Sequence, residues 1–470
     1  MKRQMRKIDC VHFVGIGGSG MSGIAEVMLS LGYKVQGSDI QNNEQVKRLK
    51  LLGAVIFIGH DKKNIANADV VVVSSAIKEE NPEVLAAQLA MKPVVARAEM
   101  LAELMRFCYS IAVAGTHGKT TTTSLVTSIL ATGGLDPTFV IGGRLKSINS
   151  NAKLGLGDYL VAEADESDAS FVHLKPMLAI VTNIDADHMD TYQGDLEQLR
   201  QGFINFLHNL PFYGIAVVCI DDPGIKKIIS NIGRTIVTYG ISKDADIVAE
   251  NIIFFEDTST FNVVRKNIDQ PLKIHLNFPG IHNIQNALAA IAVATELNVA
   301  DNDVVKALKN FTGIERRFQN YGEISTTAGN VILVDDYGHH PTEITATINA
   351  IREGWPTRRL VMVFQPHRYT RTRDLLNEFA IALSEVDILI LCEVYPASEP
   401  PIIDADGNAI RNAITAVGIL EPLFVESLKL LPNILKKTLK ENDLLLTMGA
   451  GDIGSWVAKL PLLLGTEETK

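Results

Sequence analysis

The chain has few cysteines and no excess of basic charge. Its 470 residues carry a net charge of −10, and they include only four cysteines, none in a CxxC pair: Cys10, Cys108, Cys219 and Cys392. Widely spaced single cysteines argue against a disulfide framework or a cysteine-rich zinc site, and they favour a reducing compartment. An acidic chain is not expected to wrap a nucleic-acid backbone, because such proteins are usually basic.

Long apolar runs are also missing. No uncharged apolar stretch reaches the roughly 20 residues that a membrane-spanning helix needs. The basic start resembles the first part of a signal peptide, but the glycines at positions 15, 17, 18 and 20 interrupt the apolar stretch that follows. The sequence therefore predicts a soluble, cytoplasmic protein.

Short apolar segments alternate with amphipathic stretches in three blocks. The first buried strand of each block is predicted at Cys10–Val14, Tyr109–Ala114 and Val331–Val334. Alternation of strands and helices indicates parallel sheets covered by helices. Because 470 residues exceed one ordinary core, we predict three α/β domains in series, 1–107, 108–313 and 314–470.

A candidate phosphate-binding loop joins a strand to a helix in the second block. It consists of Gly115, Thr116, His117, Gly118, Lys119, Thr120 and Thr121. Its glycines let backbone N–H groups face an anion, and the start of the helix adds its dipole. Lys119 is expected to reach the β- and γ-phosphates of ATP, and Thr120 to bind Mg²⁺. A generic loop of this kind has glycine at position 113, where this chain has Val113.

Two acidic segments follow later strands of the second block. One runs from Glu163 to Asp168, and the other runs from Thr182 to Asp190 and includes His188. Open parallel sheets bind ligands at the carboxyl ends of their strands, so both segments are expected beside the phosphate loop. Phosphate-bound Mg²⁺ usually takes one or two carboxylate ligands, which these segments offer.

A second glycine-rich segment follows the first predicted strand. It contains Gly15, Gly17, Gly18, Ser19 and Gly20 in a GxGxxG pattern. Asp39 lies about where a ribose-binding carboxylate is expected. By itself the pattern fits an NAD-dependent oxidoreductase, but its physics requires only a phosphate or pyrophosphate near the start of the helix. A dehydrogenase has no need of the second nucleotide site at residues 115–121.

Two polar segments follow predicted strands of the third block. Their candidate ligand residues are Tyr337, His339, His367, Arg368 and Arg371. Arginine forms bidentate pairs with carboxylates, which indicates an amino-acid-binding site. Either arginine taken alone also fits a solvent-exposed charge at a helix start.

The order of these motifs resembles the Mur ligases, the ATP-dependent amide-forming enzymes of peptidoglycan synthesis. It reads GTHGKTTT, EADESD, TNIDADHMD, PGIHNIQNALAA, RRF and DDYGHHPTE. The resemblance implies an N-terminal Rossmann-like domain for a UDP-sugar, a central P-loop ATPase-like parallel sheet, and a C-terminal Rossmann-like domain. Within the family, GIGGSGMSG, DDYGHHPTE and QPHRYTR are most similar to the branch that adds L-alanine to UDP-N-acetylmuramate.

The resemblance also implies roles for single residues. Mg²⁺ ligands would be Thr120, Glu163 and His188. Nucleotide contacts would include Arg317 with Asn283 and Asn286, which lie one helical turn apart. Catalytic residues would be Lys119, His188, Arg317 and Asp336. Further UDP-sugar contacts would be Asp39, His60, Ser75 and Arg97, although a surface or capping role fits each of the last three equally well.

The implied reaction is phosphorylation of the lactyl carboxylate by ATP, followed by attack of the L-alanine amine. Such an enzyme would serve cell-wall formation, cell shape and cell division. His188 and a third-domain histidine are both candidates for the base. Several relatives hold a second metal with a carbamylated lysine, but no lysine lies between His188 and Lys226 here, so that ligand stays unassigned.

Three alternatives remain open at this stage. A ligase that attaches a whole tripeptide to the same UDP-sugar would share the fold and chemistry and differ only in its acceptor pocket. An NAD-dependent oxidoreductase and a non-catalytic ATP-binding regulator are more remote. Both a monomer and a dimer are compatible with the sequence.

Overall fold

The computed structural model describes residues 5, 7–74, 76–148 and 150–465. These residues form sheets of five, ten and six strands. They divide into two compact units. The first unit contains most of the chain up to Thr312, and the second runs from Gly313 onward and includes Ile252–Thr260 and Leu276–Ile284. The predicted domain boundaries near residues 107 and 313 stay predictions.

The five-stranded sheet belongs to the first unit. Its strands are β1 (Cys10–Val14), β2 (Lys34–Asp39), β3 (Val55–Ile58), β4 (Val70–Val73) and β5 (Val94–Ala96). Its helices are α1 (Ser19–Ser30), α2 (Glu44–Leu51), α3 (Pro82–Leu89) and α4 (Arg97–Met105). All pairings in the order β3-β2-β1-β4-β5 are parallel. The glycine segment therefore follows the central strand of a Rossmann-like sheet.

The ten-stranded sheet carries the phosphate loop. Its strands are β6 (Tyr109–Ala114), β7 (Thr138–Leu145), β8 (Ser150–Lys153), β9 (Tyr159–Glu163), β10 (Leu178–Val181), β11 (Ile215–Cys219), β12 (Thr235–Gly240), β13 (Ile247–Phe255), β14 (Thr258–Arg265) and β15 (Ile268–Leu276). The helices are α5 (Lys119–Thr132), α6 (Leu196–His208), α7 (Pro223–Ile228), α8 (Ile281–Glu296) and α9 (Asp301–Lys309). β6 lies between β9 and β10, with all three strands parallel. Their carboxyl ends therefore meet at one edge of the sheet.

The six-stranded sheet belongs to the second unit. Its strands are β16 (Gln319–Thr326), β17 (Gly329–Asp336), β18 (Leu360–Phe364), β19 (Ile388–Cys392), β20 (Leu423–Val425) and β21 (Leu444–Met448). The helices are α10 (Pro341–Gly354), α11 (Tyr369–Asp374), α12 (Leu376–Leu383), α13 (Gly407–Val417), α14 (Leu431–Thr438), α15 (Gly454–Val457) and α16 (Leu460–Leu464). All pairings are parallel except that of β16, which pairs antiparallel with β17 at the edge. Trp355 stacks on Phe318, with 6.4 Å between ring centroids.

Helix α5 is rich in threonine, a β-branched residue with modest helix propensity. The hydroxyls of Thr123, Ser124 and Thr127 each donate to the carbonyl four residues earlier, at 2.8 Å. These bonds satisfy polar groups that the surrounding structure buries. The threonine run therefore fits a helix that is packed on several sides, with its N-terminus at the phosphate loop.

The apolar runs predict most central strands correctly. The predictions for β1 and β6 agree with the structure residue for residue, and the strand predicted at Val331–Val334 lies within β17. The same pattern does not predict β2, because its sequence, KVQGSD, contains no apolar run. Among the described residues, no helix is long and apolar enough to cross a bilayer.

Candidate active site

The phosphate loop needs glycine at two positions. Gly115 and Gly118 have φ angles of 127° and 80°, in the left-handed region that side chains disfavour. A Cβ on Gly115 would lie 2.0 Å from the Thr182 hydroxyl oxygen, and one on Gly118 would lie 2.5 Å from the Asn286 side-chain oxygen. Backbone geometry and close packing together therefore explain both glycines.

The segment after β10 holds this loop in place. The Asn183 side chain accepts from His117 N–H at 2.8 Å and donates to His117 C=O at 3.1 Å. The Thr182 hydroxyl donates to the same carbonyl at 2.6 Å. His117 Nε2 lies 3.0 Å from an Asp185 carboxylate oxygen. The two strand ends thus form one hydrogen-bonded structure, as the parallel arrangement predicts.

Lys119 bends back over the loop and meets four oxygen atoms. Its ammonium donates to the carbonyls of Gly115 and Thr116 at 2.7 and 3.1 Å. It also contacts both carboxylate oxygens of Glu166, at 2.9 and 2.7 Å. Glu166 is 1% exposed, so this ion pair is buried.

Burial and charge oppose each other in this ion pair. Burial lowers the pKa of Lys119, but the carboxylates of Glu166, Asp165 and Glu163 raise it above its ordinary value. Burial raises the pKa of Glu166 to about 7, against the lowering effect of Lys119. The lysine therefore stays positively charged at the loop.

The candidate metal ligands lie at the same edge of the sheet. Thr120 is in the first turn of α5 and is buried. Glu163 ends β9 and pairs with Val113 of β6, and its carboxylate lies against Gly142, where a Cβ would come within 2.6 Å of one oxygen. His188 has a left-handed backbone, with φ 55°, in the segment after β10.

The two asparagines of α8 have different surroundings. The Asn286 side-chain oxygen accepts from the Thr122 hydroxyl at 3.1 Å, beside Gly118. The Asn283 amide donates to Pro279 C=O at 2.8 Å and is nearly buried. Asn286 therefore packs directly against the phosphate loop.

The first glycine segment is held by two polar side chains. Gly17 N–H donates to the Asp39 carboxylate at 2.8 Å, and the Asn43 amide donates to Gly17 C=O at 3.1 Å. Asp39 therefore fixes the turn itself, besides its predicted role towards a ribose. For Ser19 the structure describes only the backbone, and Ser75 lies outside the described residues.

His60 belongs to a buried hydrogen-bonded network around Glu83. The carboxylate of Glu83, fully buried, accepts from the Ser38 hydroxyl at 2.5 Å and lies 3.1 Å from His60 Nδ1. Asn64 donates to its other oxygen at 2.6 Å. Burial would raise the pKa of Glu83, but the neighbouring His12, at 3.6 Å, and the hydrogen bonds from Ser38 and Asn64 outweigh it and lower the pKa to about 2.

Arg97 lies beside the first glycine segment. A Cβ on Gly20 would be 3.1 Å from its guanidinium. The same guanidinium lies 3.5 Å from an Asp165 oxygen and 3.9 Å from an Asp168 oxygen. The acidic segment after β9 therefore contacts both the lysine of the phosphate loop and the arginine at the first glycine segment.

In the second unit, Arg316 and Arg317 lie near the Tyr337 ring, at 5.3 and 5.0 Å from its centroid. Arg316 donates to the buried Asp335 carboxylate at 2.9 Å and to Gly449 C=O at 2.6 Å. Arg317 lies 3.8 Å from Glu343 and makes the looser ion pair. Arg316 is therefore tied into the sheet, whereas Arg317 keeps more freedom.

Asp336 holds the chain on both sides of β17. Its two oxygens accept from the backbone N–H groups of Phe318 and Gly338, each at 2.7 Å. Burial raises the pKa of Asp336 to about 6, against the lowering effects of Arg317 and these N–H groups. These contacts place Asp336 beside the segment that carries Arg317.

The candidate amino-acid site contains a row of rings. Tyr337, His339, His367 and Tyr395 follow one another, with neighbouring centroids 5.7, 5.6 and 5.6 Å apart. Arg371 contacts His367 at 3.4 Å. Arg368 has φ 73° and its N–H donates to Tyr395 C=O at 2.9 Å. The two predicted polar segments therefore come together.

Sequence reasoning did not single out Glu166, Glu83, Arg316 or Tyr395. Tyr395 follows β19 closely, so the strand-end rule applied to that strand would have included it. Glu166 lies within a segment already predicted to be functional, but its neighbour Glu163 was favoured for the metal. Glu83 has no local signal, because its partners come from distant parts of the sequence.

Three family models cover most of the chain. "Mur ligase family, catalytic domain" matches residues 10–109, "Mur ligase middle domain" matches 113–294, and "Mur ligase, glutamate ligase domain" matches 316–451. Their serial order agrees with the predicted three-domain α/β architecture.

Individual relatives give the same result. A UDP-N-acetylmuramate–L-alanine ligase of Methylococcus capsulatus is 56% identical over 463 residues, 98% of both chains. The crystal structure of a UDP-N-acetylmuramate–alanine ligase from Thermotoga maritima has a TM-score of 0.80 at 32% identity, covering 96% of this chain and 97% of that one. A murein peptide ligase from Psychrobacter arcticus has a TM-score of 0.70 at 24% identity, covering 98% and 100%, and shares the fold. The chain belongs to the Mur ligase family.

Proposed function

We propose that this chain uses ATP to join L-alanine to the lactyl carboxylate of UDP-N-acetylmuramate, a step of peptidoglycan precursor synthesis. The observation that carries the proposal is the 56% identity, over 98% of both chains, to a ligase named for these two substrates. Lys119, which is partly buried in a glycine loop at the start of α5, supports the ATP-dependent chemistry.

The phosphate site would work by positioning and charge. Lys119 and the first backbone N–H groups of α5 would hold the β- and γ-phosphates of ATP in place. The lactyl carboxylate oxygen then attacks the γ-phosphorus, and ADP leaves. Lys119 neutralises negative charge as the P–O bonds rearrange, because a fixed cation needs no reorganisation during the reaction.

The residues at the strand ends fit Mg²⁺. A Thr120 hydroxyl and a Glu163 carboxylate are hard oxygen donors, and His188 supplies one nitrogen. Gly142 leaves room for the Glu163 carboxylate, since a side chain there would collide with it. When bound, the ion would neutralise phosphate charge next to Lys119.

The second half of the reaction needs an acceptor amine. The alanine nitrogen attacks the acyl phosphate carbon, a tetrahedral intermediate forms, and inorganic phosphate leaves while the amine loses a proton. The row from Tyr337 to Tyr395, with Arg368 and Arg371, is the proposed site for the alanine carboxylate. Arg317, Asn283 and Asn286 are proposed as further nucleotide-binding residues, and Arg317 and Asp336 as further catalytic residues.

The first glycine segment is the proposed pyrophosphate site of the UDP-sugar. Asp39, His60 and Arg97 lie at its edge or in the network behind it. If the first glycine segment bound NAD, the second nucleotide-binding loop at residues 115–121 would not be explained. ATP and this nucleotide sugar are the proposed small-molecule substrates, and a cytoplasmic location follows from their use.

The proposal is tested by phosphate release from purified protein. ATP, Mg²⁺ and UDP-N-acetylmuramate are supplied with either L-alanine or the tripeptide acceptor of recycling ligases. We expect stoichiometric ADP and phosphate with L-alanine. Release with the tripeptide alone would instead favour the recycling activity, and nucleotide binding without turnover on any acceptor would favour a regulator.

Two lysine variants identify the site of this activity. Lys119→Ala should lower turnover by at least about 10²-fold, as loss of one electrostatic donor typically does. Lys153→Ala, which removes an exposed lysine paired with Asp136, should retain full activity. Full activity of the Lys119 variant would contradict the assigned phosphate site.

A further inference from the structure

The ammonium group of Lys119 has no donor left for a ligand. An ammonium carries three N–H donors, and four oxygens already lie within 3.1 Å of it. Two are carbonyls of the loop itself, and two belong to the Glu166 carboxylate. A phosphate oxygen can contact Lys119 only if at least one of these contacts is given up.

The Glu166 carboxylate is held firmly in this place. Its backbone carbonyl accepts from the Tyr192 hydroxyl at 2.6 Å, and the next carbonyl, that of Ser167, accepts from Thr191 at 2.6 Å. On either side of it, Asp165 and Asp168 are paired with Arg97. The segment is therefore anchored at its backbone and at both flanking aspartates.

Charge also opposes a phosphate at this position. Glu166 is 1% exposed, so little solvent screens it from an anion beside Lys119. The other two contacts of Lys119 are neutral carbonyls and exert no such repulsion. Of the groups that contact Lys119, Glu166 therefore repels an incoming phosphate most strongly. We expect the contact between Lys119 and Glu166 to be the one that is given up.

We propose that Glu166 is a positioning residue that orients Lys119 across the loop and competes with the nucleotide phosphates for its ammonium group. Nucleotide binding exchanges the carboxylate for phosphate oxygens at the ammonium. Glu166 therefore lowers nucleotide affinity while it keeps the lysine aimed across the loop. This inference rests on the proposed function, because it requires phosphates at Lys119.

The test compares ADP binding by calorimetry at about pH 8, above the pKa of about 7 of Glu166, so that its carboxylate is charged. EDTA is present, so that metal affinity does not enter. Glu166→Gln keeps the shape and removes the charge. We expect its Kd for ADP to fall about tenfold relative to the unaltered protein. Glu197→Gln is the control: it makes the same substitution at an exposed carboxylate that is paired with Arg200, and its Kd should stay within about twofold of the unaltered protein.

Steady-state kinetics supply a second readout. In Glu166→Gln, the KM for ATP should fall while kcat also falls, because Lys119 is bound by phosphate more readily but is less well aimed. A purely structural role of Glu166 predicts the opposite, a higher KM. If circular dichroism shows that Glu166→Gln does not fold, Glu166→Asp takes its place. The aspartate side chain is shorter, so its carboxylate lies farther from Lys119, and the Kd for ADP should also fall.

The outcomes separate this inference from the proposed function. ADP affinity that is equal or weaker in the folded Glu166 variant overturns the inference. If Lys119→Ala nevertheless weakens ADP binding, the phosphate site itself stands. Absence of ADP binding in both the unaltered protein and the Glu166 variant, in EDTA and also when Mg²⁺ replaces the EDTA, would instead contradict the proposed function.

Discussion

The side-chain oxygen of Asn286 lies 2.5 Å from the position that a Cβ on Gly118 would occupy. Gly118→Ala should therefore displace Asn286 from Thr122 and distort the phosphate loop. We expect the KM for ATP to rise at least about tenfold, the factor for a loss of 1.4 kcal/mol. Steady-state kinetics at saturating co-substrates would measure this.

A second glycine separates packing from backbone strain. Gly134 also has a left-handed backbone, with φ 77°, but a Cβ there would have nothing within 4 Å. Gly134→Ala should cost about 1–2 kcal/mol of stability and leave the KM for ATP unchanged. Equal kinetic effects at both glycines would refute the role given to Asn286.

Adjacent arginines at 316 and 317 should separate stability from activity. Arg316→Met leaves the buried Asp335 carboxylate without its partner, which should cost about 3 kcal/mol of unfolding free energy. Arg317 makes a looser pair with Glu343, so Arg317→Met should cost less than about 1 kcal/mol but reduce turnover. Urea unfolding followed by tryptophan fluorescence, with phosphate release, measures both. Equal losses of unfolding free energy in the two variants would contradict the different roles given to Arg316 and Arg317.

Glu83 should make the stability of the protein depend on pH in the acid range. Its pKa is about 2 in the folded protein, against an ordinary value of 4.5 for a glutamate, so the unfolded chain binds more protons in this window. The stabilisation is complete above about pH 4.5 and is lost as pH falls towards 2. Glu83→Gln should be destabilised at pH 7 by about 2 kcal/mol, and its difference from the unaltered protein should shrink below pH 4.5.

The measurement is urea unfolding by far-ultraviolet circular dichroism between pH 7 and pH 3. Glu79→Gln, a change at an exposed carboxylate in the turn that precedes α3, is the control and should show no such convergence. A stability difference for Glu83→Gln that stays constant over this range would contradict the network described around His60.

Tyr395 should affect the acceptor and not the nucleotide. It stacks on His367 with an interplanar angle of 10°. Tyr395→Leu removes this ring, and we expect the KM for L-alanine to rise about tenfold, while the KM for ATP stays constant. Tyr213→Leu, at an exposed tyrosine of the first unit, should change neither value. A rise in the ATP value alone would contradict the proposed alanine site.

Much of this architecture is readable from short sequence patterns. A buried apolar run followed by glycine predicts β1 and β6 with their loops, because parallel strands covered on both faces need continuous apolar side chains. The rule does not predict strand β2. Its central residues, Gln36, Gly37 and Ser38, are buried by contacts with Ile16 and with the hydrogen-bonded network around Glu83. Such burial depends on distant residues and leaves no local periodicity.

The same division holds for the site. Lys119 and Thr120 are predicted by a motif whose spacing is set by local backbone geometry. The contact between Lys119 and Glu166 spans 47 positions, and that between Arg316 and Gly449 spans 133. These contacts depend on strand order, which the sequence pattern alone does not specify.

The stack of Trp355 on Phe318 has a practical optical consequence. The chain has two tryptophans, Trp355 and Trp456, and both lie in the second compact unit. Intrinsic tryptophan emission therefore reports on the second unit and contains no tryptophan signal from the first unit. Because Phe318 directly follows Arg317, Trp355 is a built-in probe of the segment that carries this arginine, and no label has to be introduced.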